Sequence, residues 1–356
     1  MTQAAVSSTG PLLTIAIPTY NRSGYLRLAL ARIKAEVDSI GAGLVEVLVS
    51  DNCSTDATPD TVREAQQAGL AIRYVRNAEN VGWARNFAQC VDLAQGRYLL
   101  MSGDDDVLCE GALRLLLPYL DSPDYGVICL RPYGFDLDYR AEHPGGSGSI
   151  RFYDDAGTFL LAVSQYFTLT SALIVNRERL DGIDSRAFVD TNLATFHLFL
   201  RAALAAPKNL YVGIYLIGSK RQNSFSYEFY EVFVKEFWRI VDAHVAHGLS
   251  ARTVRALETQ RLFMYYPFYM FDIRMSGRGD RRGTFRALRQ RFGNRALFWC
   301  WVAPTLLLPR PLAIGWGAMT VTVGRTARGD LRRGVMFVRD RLLRRLGRAA
   351  HPLSNS

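Results

Sequence analysis

Short apolar runs alternate with amphipathic stretches over the first hundred residues, and that alternation leaves few folds open. Residues 12–18 (LLTIAIP) form an apolar, β-branched run that stops at a proline. Residues 25–37 then show helical spacing through Leu26, Leu30, Ile33 and Val37. Residues 44–50 (LVEVLVS) repeat the strand pattern, a helix with Pro59 in its first turn follows, and residues 70–75 give a third strand. Residues 82–94 read as a helix and residues 97–102 (RYLLMS) as a fourth strand. Such a chain predicts an α/β fold with a mostly parallel sheet flanked on both faces by helices. Ligands of these sheets bind beyond the carboxyl ends of the strands. The polar clusters PTYN (18–21), SDNCSTD (50–56) and GDDD (103–106) all fall there.

Asp104, Asp105 and Asp106 follow a buried strand with no base among them. Adjacent carboxylates repel, and a cation relieves the repulsion. Mg²⁺ and Mn²⁺ prefer oxygen ligands, and Mg²⁺ commonly takes one or two carboxylates plus substrate phosphates. The aspartates could equally cap a helix starting near Glu110; their place beside two other polar loops favours the cation. Pro18, Tyr20 and Asn21 read either as a turn or as an aromatic and a free carbonyl for a nucleobase. Asp51, with Asn52, stands where a carboxylate or amide can accept bonds from a base or ribose, whereas Asp56 fits a helix cap. In NVGWARN (80–86), Gly82 and Arg85 open a helix whose N-terminus would suit a diphosphate. A capped helix, with Trp83 in the core, explains the same residues.

The order PTYN, SDNCSTD, NVGWARN, GRYLLMSGDDD, over residues 12–117, resembles the family 2 inverting glycosyltransferases of GT-A fold. Within them it looks most like bacterial transferases of O-antigen and related cell-surface polysaccharides. The resemblance implies a GT-A-type domain over residues 1–225, with a nucleotide-sugar half (12–117) and an acceptor half (118–225). It also implies that Pro18, Tyr20, Asn21, Asp51, Asn52, Gly82, Arg85 and Asp104 bind the donor, and that Asp105 and Asp106 hold a divalent ion, Mn²⁺ or Mg²⁺. Two positions depart from the family pattern. Asn52 replaces a second aspartate, and Gly103 stands where the D-x-D would begin; a shifted motif formed by Asp104 and Asp106 is the alternative. An inverting transfer needs a base near the acceptor hydroxyl. The family places it about 90 residues later, before an apolar helix, which selects Asp190, with Asp184 and His197 as competitors.

Residues 226–356 read as a helical region, and charge divides the chain again. From Arg274 onward there are eighteen arginines, no lysine, three aspartates and no glutamate, while the preceding residues hold 25 basic and 30 acidic side chains. Residues 296–309 and 311–323 are apolar runs separated by Arg310 between prolines, each shorter than the roughly 17–25 residues that span a bilayer. Arginines precede them (Arg278 to Arg291) and follow them (Arg325 to Arg348). This pattern predicts a peripheral helical region on an anionic membrane surface rather than a nucleic-acid partner, with a solvated basic face as the alternative. Five dispersed cysteines without a C-x-x-C predict reduced thiols and no zinc site. The opening MTQAAVSSTGPLL lacks a basic and apolar leader pattern, so the expected location is the cytoplasm, on the inner face of the membrane. The acceptor implied by the resemblance is a glycan, polyprenyl-linked. Two other readings are a sugar-phosphate nucleotidyltransferase, for which PTYNRSG is a poor phosphate loop, and a non-catalytic membrane-binding protein, which leaves the ordered loops unexplained.

Overall fold

The computed structural model describes residues 10–41, 43–180, 182–184, 189–221, 228–277 and 279–327. Phe188, Arg278 and the arginines beyond Ala327 lie outside them. The described chain falls into two compact units, one built from residues up to Phe225 with Ala243–Leu249, the other from Ser226–Asp242 and the residues after Leu249.

In the first unit the chain runs β1 (Leu13–Thr19), α1 (Ser23–Ile40), β2 (Val45–Asp51), α2 (Thr58–Gln67), β3 (Ile72–Arg76), α3 (Trp83–Leu93) and β4 (Tyr98–Met101). Then follow β5 (Asp106–Leu108), α4 (Ala112–Leu120), β6 (Tyr125–Phe135), β7 (Ile150–Tyr153), α5 (Ala156–Val163), β8 (Leu173–Asn176), α6 (Ala194–Ala205) and β9 (Lys208–Lys220). The sheet order is β3-β2-β1-β4-β8-β6-β9-β5, with β7 also pairing β9. The four strands read from sequence are parallel neighbours, β1 lying between β2 and β4. β8 enters antiparallel between β4 and β6, so the sheet is mixed but mostly parallel.

Helical cover explains the apolar runs. Leu13, Ile15 and Ile17 of β1 are fully buried in one cluster with Val47, Val49 and the α1 residues Leu26, Leu30 and Ile33. Each such side chain removed from water contributes roughly 1.5–3 kcal/mol, so the α1 face and β1 are fixed together. The strand ends are thereby fixed as well.

The second unit is helical: α7 (Phe237–Ala243, its last residue in the first unit), α8 (Ala251–Gln260), α9 (Tyr266–Ser276), α10 (Arg281–Phe292), α11 (Ala303–Leu307) and α12 (Arg310–Thr326). Wide π turns at Glu231–Glu236, Arg261–Tyr265 and Phe298–Val302 interrupt the regular helices of this unit. Arg261 is buried, its guanidinium 3.8 Å from the Phe237 ring centre and 4.1 Å from that of Tyr265. α12 lies against α9 closely enough that a Cβ on Gly317 would fall 2.9 Å from Phe271. Among the described residues, no helix is long and apolar enough to cross a membrane.

Candidate active site

The loops after β1, β2, β3 and β4 are tied to one another at the carboxyl edge of the sheet. Thr19, the last residue of β1, serves both sides. Its carbonyl accepts from Asn52 N at 2.9 Å, and its hydroxyl donates to Asp104 Oδ2 at 2.8 Å. The β1 loop also meets the β2 loop. Asn21 N donates to Ser54 Oγ at 2.9 Å, and Asn21 Oδ1 accepts from Thr55 N at 2.7 Å. Asn21 and Cys53 have φ of 54° and 66°, a left-handed conformation that asparagine tolerates better than most residues. Tyr20 is 42% exposed beside them, and Pro18 is half-buried.

Asp51 is fully buried and already engaged. Tyr74 Oη donates to its Oδ2 at 2.6 Å, Ser54 N donates to Oδ1 at 2.8 Å, and Arg76 Nε lies 3.4 Å away. Burial, then this bond and the charge behind it, raises the Tyr74 phenol above its usual range. Asn52 is the hub of an amide network. Its Nδ2 donates to Asn80 Oδ1 at 2.7 Å, and its Oδ1 accepts from Val81 N at 3.0 Å and Asn77 Nδ2 at 3.1 Å. Asn77 also donates to Asn86, which exchanges bonds with Ser50. These long-range amide bonds hold the 77–82 loop against β2 and present Gly82, at φ 83°, as the cap of α3. Arg85 and Trp83 stand exposed on the first turn, Trp83 edge-on to Phe87 at 5.8 Å rather than in the core.

The aspartate turn is buried: Asp104, Asp105 and Asp106 are 4%, 7% and 8% exposed. It does not cap the following helix. The α4 N-terminus takes its carboxylate from Glu36 of α1, whose oxygens accept from Gly111 N at 2.9 Å and Leu113 N at 3.1 Å. The charge of the turn is met instead by Arg22, with Nε 3.0 Å from Asp104 Oδ1 and its terminal nitrogen paired with Asp105. Burial lifts the Asp104 carboxyl to about 6, against the pull of Arg22 and Thr19. Burial and the neighbouring Asp105 lift Asp106 to about 6, against the hydrogen bond from Ser171. Asp106 is also the first residue of β5 and accepts from Ser171 Oγ, which in turn accepts from Gly103 N at 3.0 Å.

Among the described residues, no three carboxylate, imidazole or thiol groups converge into a cage built by protein alone. Gly103 nevertheless leaves a notch between two carboxylates. A Cβ there would stand 2.9 Å from both Asp105 Oδ1 and Asp106 Oδ2. Two carboxylate oxygens beside this glycine are the oxygen donor type that a divalent ion of the Mg²⁺ kind takes together with substrate phosphates.

The remaining predicted residues are more distant in the chain. Asp190 is exposed in the turn leading into α6, and no hydrogen bond or ion pair among the described residues links it to the aspartate turn. Asp184 is also exposed, and His197 faces His244 with ring centres 5.5 Å apart. Arg22, Ser171 and Asn77 were not singled out from the sequence. Arg22 sits in the PTYNRSG loop and could have been chosen as the nearest cation to three aspartates; Ser171 gave no local signal. Cys53, Cys90, Cys109, Cys129 and Cys300 are all free thiols.

Residues 14–180 match the sequence model of Glycosyl transferase family 2. Abequosyltransferase RfbV of Salmonella typhimurium is 34% identical over 209 residues, 53% of this chain and 60% of the relative. A Campylobacter jejuni GalNAc(5)-diNAcBac-PP-undecaprenol beta-1,3-glucosyltransferase is 32% identical over 108 residues, 30% of this chain and 34% of that one. The chain thus spans less than two thirds of these relatives. Staphylococcus aureus TarS superposes with a TM-score of 0.56 at 16% identity, over 92% of this chain and 55% of TarS, a likeness of fold alone. The segment from β1 to the turn after β8 is thus similar to the glycosyltransferase family 2 domain.

Proposed function

We propose that this protein is an inverting glycosyltransferase that moves a sugar from a nucleotide-sugar to a lipid-linked glycan in cell-surface polysaccharide assembly. The observation that carries the reading is Thr19, whose hydroxyl and carbonyl fasten the aspartate turn and the Asn52 loop to one strand end. Donor diphosphate and nucleoside contacts are thus assembled on one edge. The abequosyltransferase and the undecaprenol-linked glucosyltransferase support the sugar and acceptor classes by their names.

Each residue has a part. Tyr20 offers its exposed ring to the nucleobase, with the Pro18 and Asn21 backbone beside it. Asp51 and Asn52 hold the loops that border the nucleoside, Asp104 faces the ribose, and the α3 N-terminus with Gly82 and Arg85 faces the diphosphate. Asp105 and Asp106 would hold a divalent ion, Mn²⁺ or Mg²⁺, at the Gly103 notch. Bound there, it would act as a Lewis acid that neutralises the leaving diphosphate. The acceptor oxygen attacks the anomeric carbon, the bond to the diphosphate breaks with its electron pair leaving on phosphate, and Asp190 takes the acceptor proton. One in-line displacement inverts the anomeric configuration. Thermal stabilisation by a panel of nucleotide-sugars with and without Mn²⁺ tests this: a metal-dependent rise for one donor is expected, and none for any donor overturns it.

The helical unit is read as the part that rests on an anionic membrane surface at the cytoplasmic face. α12 carries no charge between Arg310 and Arg325, and its outward Leu312, Met319 and Val323 are 62%, 37% and 41% exposed along one stripe. Exposed Arg282, Arg286 and Arg289 share one face of α10, and Trp299 meets Phe285 of that helix at 6.2 Å. Not every arginine is free for lipid: Arg291 pairs with Asp242 and Glu258, and Arg281 and Arg310 bond to backbone carbonyls. No nucleic-acid partner is proposed.

A further inference from the structure

Arg22 is the built-in counter-ion of the aspartate turn. Its side chain is 27% exposed, while the carboxylates of Asp104 and Asp105 are each 6% exposed. One edge of the guanidinium meets both carboxylates, and the group rests 4.9 Å from the Tyr25 ring centre. The residue is the N-cap position of α1, so its backbone is set by the helix, while its long side chain has several rotatable bonds through which the guanidinium can be redirected.

This arrangement sets up a competition. A divalent ion approaching Asp105 meets an oxygen that already has a cation, and two cations sharing one buried carboxylate pair repel strongly at low dielectric. A diphosphate alters the balance, because its oxygens match the planar fork of a guanidinium as well as a carboxylate does.

We propose that Arg22 is a placeholder cation, which holds Asp104 and Asp105 until a diphosphate arrives, then transfers its fork to phosphate oxygens and frees the carboxylates for the metal. The inference rests on the donor and metal reading above. It makes metal and diphosphate binding cooperative, each tightening the other by the same factor. Metal alone binds weakly, and the aspartates stay neutralised between turnovers.

The test is Mn²⁺ binding to the full-length protein, followed by electron paramagnetic resonance of the free ion, alone and with UDP, GDP, CDP or dTDP. Wild type should bind Mn²⁺ alone weakly, with one diphosphate tightening it by about tenfold or more. Arg22→Gln should bind Mn²⁺ alone more tightly than wild type and gain less from that diphosphate. Arg22→Lys keeps the charge without the fork, should fall between them, and carries the comparison if the glutamine variant melts early. Equal Mn²⁺ affinity and equal gain in wild type and variants overturn the placeholder role alone. Absence of Mn²⁺ binding in every protein, with or without diphosphate, overturns it together with the metal reading.

Discussion

Thr19 donates a 2.8 Å hydrogen bond to Asp104 across 85 residues of chain, joining the end of β1 to the aspartate turn after β4. A buried carboxylate that loses a donor keeps its desolvation cost. Thr19→Val is therefore expected to lower stability by about 1–3 kcal/mol and to weaken donor binding. Urea unfolding and donor titration check both, and a variant as stable as wild type would contradict the link.

Gly103 is needed for space rather than for conformation. Gly103→Ala puts a methyl group 2.9 Å from Asp105 Oδ1 and Asp106 Oδ2, so the carboxylates must part. A shift of this size at a reacting site costs about a hundredfold in turnover, with little change in melting temperature. Steady-state kinetics beside a melting curve separates the two effects.

Asn52 stands where the sequence resemblance implies a second aspartate, and the amide network gives the asparagine its place. Its Nδ2 donates to Asn80 Oδ1, an oxygen that also accepts from Gly82 N. Asn52→Asp sets two acceptors face to face, with an expected loss of about 1–3 kcal/mol. The 77–82 loop should loosen, raising KM for the donor more than it lowers kcat.

Asp56 predicts a pH effect with a defined sign. Although burial works against it, hydrogen bonds from Thr58 and Ser23 hold its pKa down from 3.8 to about 2. The folded value is the lower one, so its contribution is present above pH 4 and is lost as pH falls toward 2. The carboxylate is largely exposed, which limits the effect to under about 1 kcal/mol. Asp56→Asn should lose less stability than wild type between pH 4 and pH 2 in acid titrations followed by circular dichroism.

How much was legible from the sequence follows the range of the interactions. The strands β1 to β4 and the helices between them are set by local apolar spacing, and their observed ends differ from the expected ones by a few residues. The polar loops were placed correctly at strand ends, because alternation alone fixes where those ends fall. What the loops do to each other was hidden. Ser171 reaches Asp106 across 65 residues, Glu36 caps α4 from another helix, and Asn52 bonds to Asn80 by amide geometry that no spacing encodes. The π turns at Glu231–Glu236 and Arg261–Tyr265 flank the buried Arg261, a long-range arrangement that periodicity does not encode.

Calorimetric titration of the stabilising nucleotide-sugar into wild type and Asp105→Ala, each with Mn²⁺ and with chelator, tests the central claim most directly. The expected result is metal-dependent binding in wild type that disappears in Asp105→Ala while the melting temperature holds. Equal affinity in both proteins, with chelator present, would contradict it.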